Sequence, residues 1–153
     1  MRTQTLALIN LLVFSLFMCI AGLGSLVPAM VKDRVPDQFT PLWRTILGSN
    51  HEDQWQRLPD ILAVISQWVI GLAELAIGVV AAIAVVRPKH RLRLASLSLS
   101  GAAALFGTFM VVLFFLHAKE LPQWNQYPAI LVWIAAMWLL LAHADPESAR
   151  IRG

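Results

Sequence analysis

Four long apolar stretches separated by polar or charged connections set the pattern of the chain. They cover about residues 6–31, 61–86, 94–117 and 127–144, and roughly 20 apolar residues wound as an α-helix cross the hydrocarbon core of a bilayer. Proline and polar residues mark the ends. Pro59-Asp60 precedes the second run and Pro88 follows it, Pro122 limits the third, and the fourth lies between Tyr127-Pro128 and the exit Ala144-Asp145-Pro146. This pattern predicts an all-α membrane protein, a four-transmembrane-helix bundle forming a single integral membrane domain over residues 1–153. The first run superficially resembles a signal peptide, but a secretory apolar region is only about 7 to 15 residues long, so a retained helix is the expectation.

The polar connection after the first run has a pattern of its own. Thr40-Pro41 is an N-cap followed by proline at the first helical position, and Gly48 is a plausible stop. Phe39, Leu42, Trp43, Ile46 and Leu47 fall at helical spacing. These positions predict a short amphipathic helix at about 40–47, on or dipping into the outer leaflet. It would serve either as a lid packed for stability or as a gate for a ligand.

Composition narrows the class further. With 58% hydrophobic and 14% charged residues, the 153-residue chain departs from soluble domains, which run near 25% charged. Four spans and their loops leave no room in these residues for a soluble catalytic domain. The net charge of +3 does not point to nucleic acid, because the Lys and Arg side chains cluster at the ends of apolar runs, where they orient a membrane protein. The connection Arg87-Pro88-Lys89-His90-Arg91-Leu92-Arg93 carries four permanent cations and belongs in the cytoplasm. With an even number of spans, both termini are then cytoplasmic, and a bacterial inner membrane is the expected location. Cys19 is the single cysteine, so the chain offers no disulfide, zinc or iron–sulfur set.

Glu74 is the polar residue that most demands an explanation. It lies near the middle of the second span, where membrane-insertion scales charge about 2.5 to 3.5 kcal/mol for the most unfavourable ionised side chains, so it must face protein or water, or carry its proton. At 100° per residue, Gln67, Gly71, Glu74, Gly78 and Ala81 share one stripe with it. The third span offers Ser96, Ser100, Ala103, Ala104 and Gly107, with Thr108 at the edge, and the first offers Ser15, Cys19 and Gly22. These faces are expected to converge on the interior, with Gly71, Gly78, Gly107 and Gly22 as packing positions. Glu74, Gln67, Thr108 and Ser100 are candidate ligand or proton-relay residues; the alternative for Glu74 is an interhelical hydrogen bond that only fixes packing.

His117, near Glu120, is the remaining candidate for a metal or redox contact, against the plainer role of a helix-end cap. His51, His90 and His143 fall in loops or at a helix exit, where snorkelling accounts for them, and no metal site is expected. Trp43, Trp55 and Trp124 fit an outer aromatic belt, while Trp133 and Met137, one turn apart, fit a core.

The segment Trp68-Val69-Ile70-Gly71-Leu72-Ala73-Glu74-Leu75-Ala76-Ile77-Gly78, closed by a basic loop, has a Gly-x-x-Glu-x-x-x-Gly character. It resembles the second helix of DoxX-like membrane proteins, and Phe17 to Leu26 is similar to that family's first-helix ending, with Ser25 where a lysine is often found. The resemblance implies a four-helix bundle. It also implies a setting in quinone-linked sulfur oxidation, in redox-stress complexes or in assembly of partner membrane proteins, without a catalytic set to transfer.

Three functions follow from this reading. The first is an accessory or assembly subunit of a membrane complex, redox-linked and without its own catalytic centre, with the lipid bilayer and a membrane-protein partner or a second copy as its contacts. The second is a quinone-binding subunit of an oxidoreductase that uses Glu74 or His117, quinone being the one cofactor the sequence brings forward. The third is a small proton-coupled transporter switching on Glu74, although no inverted repeat is evident.

Overall fold

A computed structural model describes residues 2–30, 39–47, 57–115 and 123–144. These form α1 (Arg2–Met30), α2 (Thr40–Leu47), α3 (Leu58–Val86), α4 (Arg91–Phe115) and α5 (Gln123–Ala144), with a 3-10 turn at Pro88–His90. Helices α1, α3, α4 and α5 are each long and apolar enough to cross a membrane, and no strand occurs among the described residues. The protein is an all-α integral membrane protein with a four-helix bundle.

Local chemistry explains the helix boundaries. α2 occupies the expected residues, with Pro41 just inside its start and Trp43 N–H bonded to the Phe39 carbonyl at 2.9 Å. α4 starts at Arg91 rather than near residue 94, because the 3-10 turn that opens with Pro88 leads directly into it. α5 starts at Gln123 and carries Pro128 internally. Proline lacks the N–H that would reach back four residues, so one carbonyl near the start of α5 loses its helical partner. The expected span ends at residues 31 and 116–117 lie outside the described residues.

Two compact units divide the chain: Met1–Met18 with Ile77–Gly153, and Cys19–Ala76. The core of the first is built from Leu11, Phe14, Met18, Leu99, Ile134 and Met137, all fully buried. Alanines fill the closer approaches, with Ala81, Ala84, Ala95 and Ala102 at zero exposure. Trp133 packs edge-on against Phe14 and Phe17, with ring centroids 5.6 and 5.7 Å apart, and Tyr127 lies 5.3 Å from Phe106. The expected pairing of Trp133 and Met137 with the core is therefore observed. Within this unit two buried serines donate to α3 backbone carbonyls: Ser15 to Gly78 at 2.8 Å, and Ser98 to Ile77 at 2.9 Å. Interhelical hydrogen bonds of this kind are worth about 0.6 kcal/mol on average in a bilayer.

The interior face of α4 differs from the expectation. The helix buries Ala95, Ser98, Leu99, Ala102, Phe106 and Leu113, whereas Ser96, Ser100, Ala104 and Thr108 are exposed. A Cβ placed at Gly107 would meet nothing within 4 Å, so among the described residues no helix packs against Gly107. The physical reason is that lipid is as apolar as the core, so polarity does not choose the inner face. Leu99 and Phe106 give one face much more van der Waals contact than the small-residue face can supply.

Candidate functional site

In the Cys19–Ala76 unit, α1 and α3 meet at backbone distance, and glycine makes the approach possible. A Cβ on Gly22 would lie 2.7 Å from both the Gly71 carbonyl oxygen and the Leu75 nitrogen. A Cβ on Gly71 would lie 2.8 Å from Leu26 Cγ and 3.0 Å from Ser25 Cβ. Neither position has room for a side chain while the two helices stay at this distance.

Next to this crossing, the Ser25 hydroxyl donates to Glu74 Oε2 at 3.1 Å. Glu74 is only 8% exposed, and the whole stripe of Gln67, Gly71, Glu74, Gly78 and Ala81 is buried. The carboxylate therefore faces protein, as its place on the small-residue stripe predicts. Gln67 is 9% exposed, and its Oε1 has no hydrogen-bond partner. Leaving a buried acceptor unmatched costs about 1 to 3 kcal/mol. Gln67 and Glu74 are separated by two turns, about 10.5 Å along the helix axis.

α2 is fastened to α3 by a side chain that the sequence placed in the aromatic belt. The Trp43 indole N–H donates to Ser66 Oγ at 3.0 Å. Arg44 also approaches Asp60 at 3.8 Å, but with Arg44 65% and Asp60 34% exposed, this ion pair adds little beyond about 1 kcal/mol. Thr40, at the start of α2, is buried as well.

Ser100 and Thr108 are exposed on α4 and Gly107 faces open space, which corrects their assignment to an interior stripe. His117, Glu120 and His51 lie outside the described residues. His90 is exposed on the 3-10 turn, and the His143 ring bonds the Leu139 carbonyl of its own helix at 2.7 Å. Among the described residues, no three His, Cys, Asp or Glu side chains come together as a metal-binding group. Cys19 is free and half-buried.

The cluster supplies one carboxyl group, one hydroxyl and one unmatched amide oxygen in apolar surroundings. It can hold a hydrogen-bonding ligand or a proton. Sequence reasoning marked Ser25 only as the residue replacing a lysine, and its spacing three residues beyond Gly22 was the available signal for a contact with α3. The Ser66–Trp43 bond had no comparable signal. No family model matches the chain, and neither a curated protein nor a solved structure matches it.

Proposed function

We propose that the protein is an accessory or assembly subunit of a redox-linked membrane complex, seated in a bacterial inner membrane with both termini in the cytoplasm. The observation that carries this reading is the outward face of α4, where Ser100, Ala104 and Thr108 are exposed and a Cβ at Gly107 would touch nothing. Small residues allow a second helix to approach to backbone distance, and hydroxyls can hydrogen-bond across such a contact. The DoxX-like resemblance supplies the redox setting, and the basic connection between α3 and α4 supplies the orientation.

The test is native mass spectrometry of the protein extracted gently from its own membrane. A reproducible heteromeric mass is expected, and Gly107→Leu is expected to abolish it while helix content and melting temperature stay unchanged. A chain that always travels alone, or a heteromer indifferent to Gly107→Leu, would sink the idea.

A second reading, a quinone-binding subunit, is favoured by one observation: the unmatched Gln67 Oε1 on the same buried stripe as Glu74. In this reading Gln67 and Glu74 are the polar contacts of a ligand held in apolar surroundings. Full quinone-dependent activity in a Glu74→Gln, Gln67→Leu double variant would rule it out.

A further inference from the structure

Where α4 begins, the chain presents a concentrated basic surface. Arg87, Lys89, His90 and Arg93 are exposed, whereas Arg91 is half-buried and its Nε is both inaccessible and without a hydrogen-bond partner. Arg91 lines a cavity of about 90 Å³ together with Gln4, Leu8, Leu92, Leu141 and Ala144. That is roughly the liquid volume of three waters, enough for a compact charged group. Gln4 donates its amide N–H to the Ala144 carbonyl at 3.2 Å, and no lining group accepts from the Arg91 Nε–H. A buried cationic donor left unmatched is among the least favourable arrangements in a protein, and an anion is the natural complement.

A second space adjoins this one. A groove of about 590 Å³ between α4 and α5 shares Leu92 and Leu141 with the cavity and continues past Ser96, Ala135, Trp138 and Ala142. Its lining is almost wholly apolar. From Ala142 to Ala135 the α5 wall runs about 10 Å along the helix axis, from the charged end of the helix toward the hydrocarbon. The groove alone would take any acyl chain, and the basic end alone would attract any anion. Together they fit an amphiphile whose head is anionic and whose tail lies along the helices.

We propose that this end of the bundle holds an anionic glycerophospholipid, its phosphate taken by Arg91 amid the exposed cations and one acyl chain lying in the α4–α5 groove. Basic pockets between transmembrane helices recognise anionic headgroups in this way. The site is distinct from the Glu74 cluster, and it does not depend on the α4 face at Ser100–Thr108 or on the identity of any partner subunit.

The experiment uses the full-length protein in detergent, with phosphatidylglycerol, phosphatidylcholine or inorganic phosphate added at equal concentration, read by native mass spectrometry and thermal melting. Phosphatidylglycerol is expected to remain bound about fivefold more than phosphatidylcholine and to raise the melting temperature, whereas phosphate does not. Arg91→Gln removes that preference, while Arg93→Gln, which changes the net charge equally, keeps it. Ala135→Trp fills the groove and lowers retention of both lipids, which keeps the test open if Arg91→Gln folds poorly. Equal retention of the two lipids by the unmodified protein overturns the proposal. So does a phosphate effect equal to that of the lipid, or equal losses in Arg91→Gln and Arg93→Gln, which would mark diffuse surface attraction.

Discussion

Gly22 and Gly71 bring α1 and α3 to backbone distance, whereas Gly107 on α4 has open space where a side chain would begin. In sequence the two regions look alike, each a line of glycine, alanine and serine at helical spacing within a membrane span. The difference lies in what covers them. The first stripe is filled by a neighbouring helix of the same chain, with Leu26 and Ser25 against Gly71 and the Ser25–Glu74 bond beside it. The second has no described residue against Gly107, while α4 buries Leu99 and Phe106 on another face. Small residues in a membrane helix therefore mark where a close approach is allowed, not which polypeptide makes it.

Substitutions should separate these two roles, and the largest effect is expected at Gly22. Gly22→Ala places a methyl group 2.7 Å from two backbone atoms that cannot give way, so a loss of about 3 kcal/mol is expected, measurable as unfolding in mixed micelles. Gly71→Ala meets the side chain of Leu26, which can shift in part, and the Cβ of Ser25, so the same assay should show about 1 to 2 kcal/mol. Ser25→Ala removes a single interhelical hydrogen bond and should cost about 1 kcal/mol, within the range known for such bonds in bilayers. Gly107→Ala is expected to change the stability of the isolated chain by less than about 0.5 kcal/mol. A melting-temperature loss at Gly107 equal to that at Gly22 would erase the distinction.

Much of the architecture was legible from the sequence because hydrocarbon imposes a strong rule: an apolar run of sufficient length has to be a helix whose backbone groups satisfy one another. The spans, the short helix at 40–47 and the buried stripe through Gln67, Gly71 and Glu74 all follow from that rule and from the helical period. The azimuth of α4 did not. Its Ala95–Ser98–Ala102 face and its Ser96–Ser100–Ala104 face have nearly the same composition, and only the bulk of Leu99 and Phe106 separates them. The Glu74 site was half legible for a similar reason. An acid in mid-membrane announces itself, whereas a serine near its partner helix looks like any other small residue until the crossing point is known.

The serines at 15 and 98 carry a different lesson. Each donates to a main-chain carbonyl, at Gly78 and Ile77, rather than to a side chain. The acceptor comes with the peptide bond whatever residue stands at the accepting position, so these contacts constrain inheritance on one side only. Over long divergence, position 77 is free to drift among apolar residues that still fit against Gly101, where a Cβ would come within 3.3 Å of Ile77. At positions 15 and 98 only a small hydroxyl-bearing residue keeps the bond, so related sequences are expected to vary less at the donors than at position 77.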